Sequence, residues 1–341
     1  MTRSIQRQKK IALKTKNGKA IIGDSCQYMA NKIETDSVDL IITSPPFGLI
    51  TKKAYGNEPS ESYVEWFRLF GHQFYRILKQ TGSLIIDIGG TWEKGKPTRS
   101  LYHYELLIML CKEVGFNLAQ EFYWWNPSKL PSPAEWVNIR RIRVKDAVNC
   151  VWWLSKTPYP KASNRRVLQP YSSSMHDLLE NGYDAKKRPS GHDISDKFSR
   201  NNSGAIPPNL IAIANTESNS SYQKYCRVNG LKEHPARFPA DLPGYFIRML
   251  TDVGDLVLDP FAGSCVTGSV AEDLDRKWIC CELRSDYIEG AKGRFLNGNR
   301  AKSDKKNTQY AVQHPFAILP EKEAPLVSDG GRKRPERGRD E

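Results

Sequence analysis

Two kinds of hydrophobic pattern alternate along most of this 341-residue chain. Short apolar runs rich in β-branched residues, each bounded by turn-forming residues, predict buried strands. Apolar residues that recur at three- and four-residue steps predict helices packed against a sheet. The alternation is typical of an α/β fold with a mostly parallel, doubly wound sheet. The predicted strands are 19–23, 38–42, 83–88, 119–125, 147–155, 256–258 and 277–281, and the predicted helices are 62–78, 101–114, 244–250 and 269–274.

The pattern fades between about residues 157 and 233, where Pro, Ser, Asn and Gly become frequent. Aromatic and aliphatic residues persist there, so we interpret this stretch as an ordered, loop-rich module that recognises a partner. Both ends of the chain are polar and charged, which is typical of flexible tails. The sequence therefore predicts five segments: a basic arm 1–18, a first half-domain 19–156, an insert 157–233, a second half-domain 234–298 and a tail 299–341.

Positive charge is the first feature that points to a partner. The formal net charge is +13, and residues 1–20 carry seven Lys or Arg and no acidic residue. Residues 126–170 carry nine Lys or Arg against two acidic residues. This distribution favours a polyanion, most often nucleic acid, as the partner. A basic enzyme without such a partner is the alternative.

Several classes of protein are disfavoured by the sequence. The first residues lack the apolar core of a signal peptide, and no run approaches the ~20 apolar residues of a membrane helix. The seven cysteines are irregularly spaced, without a Cys-x-x-Cys pair or a disulfide framework. We therefore predict a cytoplasmic protein with no structural metal.

A rigid turn follows the predicted strand 38–42. Its sequence, Thr43-Ser44-Pro45-Pro46-Phe47, would present a hydroxyl, a carbonyl and an aromatic face together at the carboxyl end of a strand. Two acceptors beside a flat ring suit an exocyclic amino group on a nucleic-acid base. A purely structural Ser-Pro-Pro turn is the alternative.

A second motif has the organisation of a nucleotide-cofactor site. The strand 256–258 runs into a glycine-containing turn at 259–268, a helix follows, and the next strand ends in Glu282. Glycines permit close approach of the backbone to a ligand, and an acid about 20 residues later suits ribose hydroxyls. The turn lacks the Gly-x-Gly-x-x-Gly spacing, which argues against a dinucleotide.

Cations beside aromatic and aliphatic residues mark a third candidate region in the proline-stiffened loop after residue 125. Such a pattern suits phosphate contacts and base stacking, although a solvated charged face is the alternative. The candidate nucleic-acid-contacting residues, including two lysines in the loop after the Ser-Pro-Pro turn, are Lys52, Lys53, Lys129, Arg140, Arg141, Arg143 and Lys145.

Taken together, these motifs resemble the amino-DNA methyltransferases, in the permuted order that puts Ser-Pro-Pro-Phe before the cofactor motif. The similarity is strongest to the N4-cytosine-specific members and covers about residues 23–295. It implies a Rossmann-like methyltransferase fold, circularly permuted, with residues 157–233 as the target-recognition region and S-adenosyl-L-methionine as cofactor. The stretches that carry the resemblance are 23–25, 43–47, 122–151, 188–194, 206–209, 234–250 and 259–268.

The resemblance also implies roles for individual residues. The turn residues would hold the target base, Asp87 would assist Ser44 with the amino proton, and Glu282 would bind the ribose. Asp24 would accept from the adenine amine, although the sequence alone favours a helix cap as the role of this residue. The implied catalytic residues are Ser44, Pro45, Pro46, Phe47 and Asp87, and the implied cofactor residues are Asp24, Phe238, Asp259, Phe261, Ala262, Gly263, Ser264, Thr267, Gly268 and Glu282.

We therefore expect methyl transfer to cytosine N4 in double-stranded DNA, by a monomer that acts beside a restriction endonuclease specific for the same site. N6-adenine methylation is the nearest competing hypothesis, but enzymes of that kind usually carry Asp at the position of Ser44. A non-catalytic DNA-binding protein of the same fold and a small-molecule methyltransferase are two further hypotheses. The chemistry needs no metal and no covalent nucleophile.

Overall fold

The computed structural model describes residues 10–49, 56–182, 200–215 and 220–296. A single nine-stranded sheet runs through this part of the chain, with strand order β1-β2-β9-β8-β3-β4-β6-β5-β7. The strands are β1 Lys10–Lys14, β2 Gly18–Ile22, β3 Val38–Thr43, β4 Leu78–Ile88, β5 Asn117–Trp125, β6 Val148–Ser155, β7 Leu210–Ala212, β8 Leu256–Asp259 and β9 Lys277–Glu282.

Helices connect the strands on both sides of the sheet. A single turn of 3₁₀-helix lies at Asn164–Val167, and short π-helical segments cover Leu110–Val114 and Glu135–Ile139. The α-helices are α1 Ser25–Lys32, α2 Tyr63–Ile77, α3 Tyr102–Met109, α4 Ser173–Asn181, α5 Ser221–Val228, α6 Asp241–Leu250, α7 Val266–Asp273 and α8 Ser285–Phe295.

The central strands are parallel, and this orientation positions the functional motifs. β2, β9, β8, β3 and β4 pair in parallel along the sheet. Their carboxyl ends therefore lie at one edge, where open α/β sheets bind ligands. β6 is antiparallel to β4 and to β5, so the loop from β5 to β6 leaves and returns at this same edge.

Side chains on the central strands alternate between two hydrophobic cores. In β3, Ile41 packs into the core beneath α1, α2 and α3, whereas Leu40 and Ile42 pack into the core beneath α6 and α7. In β4, Leu84 and Ile86 belong to the first core and Ile85 to the second. A strand that is buried on both faces explains why these sequences read as continuous apolar runs.

The loop-rich stretch contributes elements to the main body of the molecule. β7 pairs in parallel with β5 at the edge of the sheet, and the Trp124 indole N–H donates to the carbonyl of Ile213 at 2.9 Å. α5 packs against α8, where Gly290 and Gly293 leave room for the side chains of Cys226 and Tyr225. The division of the chain into five segments stays a prediction.

The predicted strands and helices are present, with bounds that differ by a few residues. One strand lies where a flexible arm was expected, since β1 forms within residues 1–18 by pairing antiparallel with β2. The permuted order is also confirmed, because β3 precedes β8 by more than 200 residues and pairs directly with it. None of the helices in the described ranges is long and apolar enough to cross a membrane.

Candidate active site

A cavity of about 610 Å³ opens at the carboxyl edge of the central strands. It collects most of the residues that the sequence singles out from separate parts of the chain. The size suits a small-molecule ligand together with part of a substrate. The predicted site residues that line it are Asp24, Ser44, Pro45, Pro46, Phe47, Asp87, Lys129, Phe238, Phe261, Ala262, Gly263, Ser264 and Glu282.

Ser44 and Asp87 form a hydrogen-bonded pair in this cavity. The Ser44 hydroxyl donates to Asp87 Oδ2 at 3.0 Å, and Asn149 Nδ2 donates to Asp87 Oδ1 at 3.1 Å. Each carboxylate oxygen therefore has a fixed donor. Because the Ser44 proton points to Asp87, the lone pairs of Ser44 Oγ are available to accept from a substrate amine.

Asp87 is 4% exposed, and its burial raises the pKa of its carboxyl to about 6. The hydrogen bonds from Asn149 and Ser44 and the charge of Lys129 act in the opposite direction and favour the ionised form. Asp87 thus ionises close to neutral pH, which suits a group that accepts a proton during a reaction.

This raised pKa predicts a dependence of stability on pH. The pKa of an exposed aspartate is about 4, so between about pH 4 and pH 6 the folded chain binds the Asp87 proton more tightly than the unfolded chain does. The contribution of Asp87 to the free energy of unfolding therefore decreases as pH rises through this window. For Asp87→Asn, we expect the stability relative to wild type to increase by about 2–3 kcal/mol between pH 4 and pH 7.

Urea unfolding of wild type and Asp87→Asn at a series of pH values measures this difference. Ser37→Ala, a change just before the start of a neighbouring strand that removes no titratable group, is the control, and its stability relative to wild type should stay constant from pH 4 to pH 7. If the free energies of unfolding of Asp87→Asn and wild type differed by the same amount at every pH from 4 to 7, the expected ionisation of Asp87 would be contradicted.

The ring of Phe47 fits against backbone that lacks a side chain. A Cβ at Gly89 would lie 2.6 Å from the nearest Phe47 ring atom, so only glycine leaves room for the ring. The Tyr102 hydroxyl donates to the carbonyl of Gly89, and the Tyr102 ring lies against Gly48. Two glycines and one tyrosine thus fix the aromatic wall beside Ser44.

For Gly89→Ala, we expect the ring of Phe47 to shift away from its place beside Ser44. A displacement of this size in a reacting site lowers kcat/KM by about 10- to 100-fold. Methyl transfer assays measure the loss, and cofactor affinity by calorimetry should be unchanged, since Gly89 is outside the cofactor turn. Gly244→Ala in α6 is the control, because helical backbone suits alanine and the nearest atom to its Cβ position, at 3.3 Å, is the flexible end of the Arg248 side chain.

The glycine-containing turn after β8 faces Glu282 at the end of β9. Gly263 N–H donates to Glu282 Oε2 at 2.9 Å, and Arg284 N–H donates to Oε1 at 2.9 Å. Gly263 has a φ of 51°, a left-handed conformation that favours glycine, and a Cβ here would lie 3.0 Å from His234 Nε2. The turn and Glu282 therefore form one rigid unit with an acceptor carboxylate.

Three predicted cofactor residues lie behind the cavity wall, which they support without lining it. Asp259 accepts from Thr43 Oγ1 at 2.7 Å, Thr267 Oγ1 at 2.6 Å and Phe261 N–H at 3.1 Å. Gly268 provides space for the Trp278 ring and for Cys280. Asp259, Thr267 and Gly268 are thus placed to support the turn and not to contact a ligand.

Asp24 has the capping role that the sequence favours for it. Its side chain accepts from Gln27 N–H at 2.9 Å and caps α1, while the residue also lines the cavity. Phe238 lines the cavity with His234 and the residues between them. Burial lowers the pKa of His234 to about 4, so its imidazole is neutral at physiological pH.

The predicted DNA-contacting cations differ in where their side chains lie. Arg140 and Arg141 are exposed, and Arg140 is ion-paired with Glu135 at 2.8 Å. The guanidinium carbon of Arg143 lies 3.8 Å from the centre of the Trp92 ring, and Lys145 Nζ donates to the carbonyls of Pro127 and Lys129. Both side chains therefore also hold their loop in place by contacts within the protein. Lys129 lines the cavity, while Lys52 and Lys53 lie outside the described residues.

Comparison with known proteins identifies the family. A family model described as a DNA methylase matches residues 38–293, which include both motifs and most of the cavity lining. The chain belongs to this family of DNA methylases. The fold inferred from the resemblance is confirmed, because the solved structure of the PvuII cytosine-N4-specific DNA methyltransferase matches with a TM-score of 0.70.

That structure is 44% identical to this DNA methylase and covers 90% of this chain and 97% of its own. The type II methyltransferase M.PvuII of Proteus hauseri is 52% identical over 85% of this chain and 87% of its own length. The DNA adenine methyltransferase YhdJ of Escherichia coli is 24% identical over 80% of each chain. A structure from Thermus thermophilus, described as a DNA modification methylase complexed with S-adenosyl-L-methionine, has a TM-score of 0.50 at 21% identity and covers 80% of this chain and 91% of its own.

Sequence reasoning missed several residues that this methylase places around the cavity. Asn149 binds Asp87, and Arg294 donates to the carbonyl and hydroxyl of Ser264 at 2.9 and 3.1 Å. Asn149 was detectable as a polar residue in an apolar strand, whereas nothing in the local sequence marks Arg294. Within the described ranges, no group of three or more His, Cys, Asp or Glu side chains could hold a metal ion.

Proposed function

We propose that this methylase transfers a methyl group from S-adenosyl-L-methionine to the exocyclic N4 of cytosine at a specific site in double-stranded DNA. One observation carries the proposal: the Ser44–Asp87 hydrogen bond lies in the same cavity as the turn from Phe261 to Ser264 and Glu282. An acceptor for a base amine and a cofactor turn thus share one space. The 52% identity to M.PvuII supports cytosine N4 as the target atom.

The lining residues fit S-adenosyl-L-methionine. Glu282 offers a carboxylate for ribose hydroxyls at the end of the strand after the glycine turn. At Gly263 the backbone lines the cavity, and a side chain there would press on the His234 ring. The neutral His234 and the aromatic Phe238 would border the methionine end. When bound, this cofactor supplies an electrophilic methyl group.

The chain's own residues would make the amine more nucleophilic. The lone pair of cytosine N4 is delocalised into the ring, so the amine reacts poorly in solution. Hydrogen bonds donated by the amine to Ser44 Oγ and the Pro45 carbonyl favour a tetrahedral nitrogen whose lone pair is localised. As nitrogen gains the methyl group it loses one proton, which Asp87 accepts through Ser44 and releases to solvent.

Phe47 would stack on the flat face of the base, and the cavity would receive the base after it leaves the duplex. Arg140 and Arg141, both exposed, would contact phosphates. Residues 157–233 would read the recognition sequence. A cognate restriction endonuclease, action as a monomer and a cytoplasmic location stay predictions.

The test is methylation of plasmid DNA with isotope-labelled cofactor, followed by mass spectrometry of the nucleosides. We expect labelled N4-methylcytosine. Labelled N6-methyladenine without N4-methylcytosine would instead support the adenine hypothesis, in line with the 24% identity to YhdJ. A non-catalytic binding protein would bind the cofactor and DNA without any labelled product.

A further inference from the structure

Lys129 stands apart from the other cations of its loop because of where its side chain lies. It is partly buried and lines the cavity together with Asp87 and Asn149. Arg140 and Arg141, farther along the same loop, are exposed. A lysine inside a reaction cavity is poorly placed to reach the phosphates of a duplex.

The backbone of Lys129 is held by a turn at the mouth of the cavity. Lys129 N–H donates to the carbonyl of Asn126 at 3.1 Å, and Ser128 N–H donates to Asn126 Oδ1 at 3.1 Å. Lys145 Nζ donates to the carbonyl of Lys129 at 3.2 Å. Asn126 also lines the cavity. The side chain therefore starts from a fixed point at the edge of the site.

Lys129 and Asp87 line the same cavity, so the charge of Lys129 favours the ionised form of Asp87. The groups that face Asp87 are Ser44 after β3, Asn149 and Cys150 on β6, Tyr102 on α3, and Lys129 from the loop. Ser44 and Asn149 supply neutral hydrogen bonds, whereas Lys129 supplies positive charge. Burial lowers the pKa of Lys129, attraction to Asp146 and Asp87 opposes that shift, and the positive charge of Arg99 adds to it.

We propose that Lys129 is a positioning residue of the active site, which keeps Asp87 ionised for the reaction, and is not a contact to the DNA backbone. This inference rests on the proposed function of Asp87 as proton acceptor. Without the charge of Lys129, Asp87 would hold its proton up to a higher pH, and a smaller share of the enzyme would be competent at neutral pH.

The experiment compares three variants of the full chain. Lys129→Met removes the charge and keeps much of the volume, Lys129→Arg keeps the charge, and Arg141→Gln removes an exposed cation from the same loop. For each, kcat/KM for plasmid methylation is measured from pH 5.5 to 9, and DNA affinity is measured as a function of salt concentration. Lys129→Gln replaces the methionine variant if that chain does not fold.

For Lys129→Met, we expect the acid limb of the pH profile to move to higher pH. A shift of one pH unit corresponds to a loss of about fivefold at pH 6, and the loss nearly disappears above about pH 8. The salt dependence of DNA affinity should stay as in wild type, and Lys129→Arg should restore the profile. Arg141→Gln should reduce the number of counterions released on DNA binding, read from the salt dependence of affinity, by about one. The acid limb of its pH profile should stay where it is in wild type.

A second readout does not depend on turnover. The stability that Lys129→Met loses should be larger at pH 8 than at pH 4, and this difference should be smaller in chains that also carry Asp87→Asn. A Lys129→Met profile that loses activity equally at every pH, or a reduced salt dependence like that of Arg141→Gln, would overturn the inference. If wild type itself transfers no methyl group to DNA, the proposed function fails and the stability cycle still tests the Lys129–Asp87 interaction.

Discussion

Ser44→Ala is expected to reduce methyl transfer to DNA by about 100- to 1,000-fold, because the variant lacks an acceptor for the amine and the group that passes its proton to Asp87. The hydroxyl lies 3.0 Å from Asp87 Oδ2. Its removal leaves the glycine turn and Glu282 untouched, so affinity for S-adenosyl-L-methionine should stay within about twofold of wild type. Single-turnover assays with labelled cofactor measure the chemical step, and calorimetry measures cofactor binding.

Ser37→Ala is the matched control for this prediction. Ser37 lies just before the opposite end of the same strand, where its hydroxyl donates to the carbonyl of Glu34 at 2.7 Å, far from the cavity edge. This variant should keep wild-type turnover. Equal activity of Ser44→Ala and wild type in single turnover would mean that the Ser44 hydroxyl takes no part in the reaction, and it would remove the observation on which the proposed function rests.

The edge of the sheet that carries the site was predictable from the sequence. The apolar runs before Thr43, Asp87, Asp259 and Glu282 have the composition of strands buried on both faces. Parallel strands bring such carboxyl ends to one edge, so residues separated by more than 200 positions could be assigned to one site.

The division between lining and supporting residues was not predictable. Gly263 and Gly268 belong to the same turn-and-helix segment, yet Gly263 lines the cavity and Gly268 packs on Trp278. Which side of a tight turn faces the ligand depends on its backbone conformation and on the neighbouring strand. The location of Lys129 was likewise not predictable from the sequence. The charge pattern places it in one group with Arg140 and Arg141, and only the tertiary structure shows that Lys129 lines the cavity while the arginines are exposed.

The edge strand β7 escaped prediction for a different reason. It has three residues, Leu210–Ala212, which is too short for a periodic pattern to distinguish it from a loop. Its pairing with β5 and the Trp124 bond to Ile213 supply the order that the local sequence does not. Helix α5 was also missed, because its order comes from packing on α8, where the small size of Gly290 and Gly293 leaves room for it.

Asp259→Ala is expected to lower the free energy of unfolding by about 3–5 kcal/mol and to abolish cofactor binding. Asp259 is 1% exposed at the end of β8, and its carboxylate joins the two motifs of the site. One oxygen accepts from Thr43, the residue before Ser44, and from Phe261 N–H in the cofactor turn, while the other accepts from Thr267 in α7. Alanine would leave two buried hydroxyls and one buried N–H without an acceptor.

Asp259→Asn separates the loss of contacts from the loss of charge. Its amide oxygen can still accept from Thr43 and Phe261, and its NH₂ group can donate to the Thr267 hydroxyl. Because burial raises the pKa of Asp259 to about 6, the neutral amide also avoids the cost of a buried charge above that pH. We therefore expect Asp259→Asn to bind S-adenosyl-L-methionine within about tenfold of wild type and to lose about 1 kcal/mol or less of the free energy of unfolding.

Thermal unfolding measures the stability of both variants, and calorimetry measures their cofactor affinity. Cofactor affinity of Asp259→Ala equal to that of Asp259→Asn would show that the turn keeps its shape without this acceptor, and that the link between the catalytic and cofactor strands lies elsewhere.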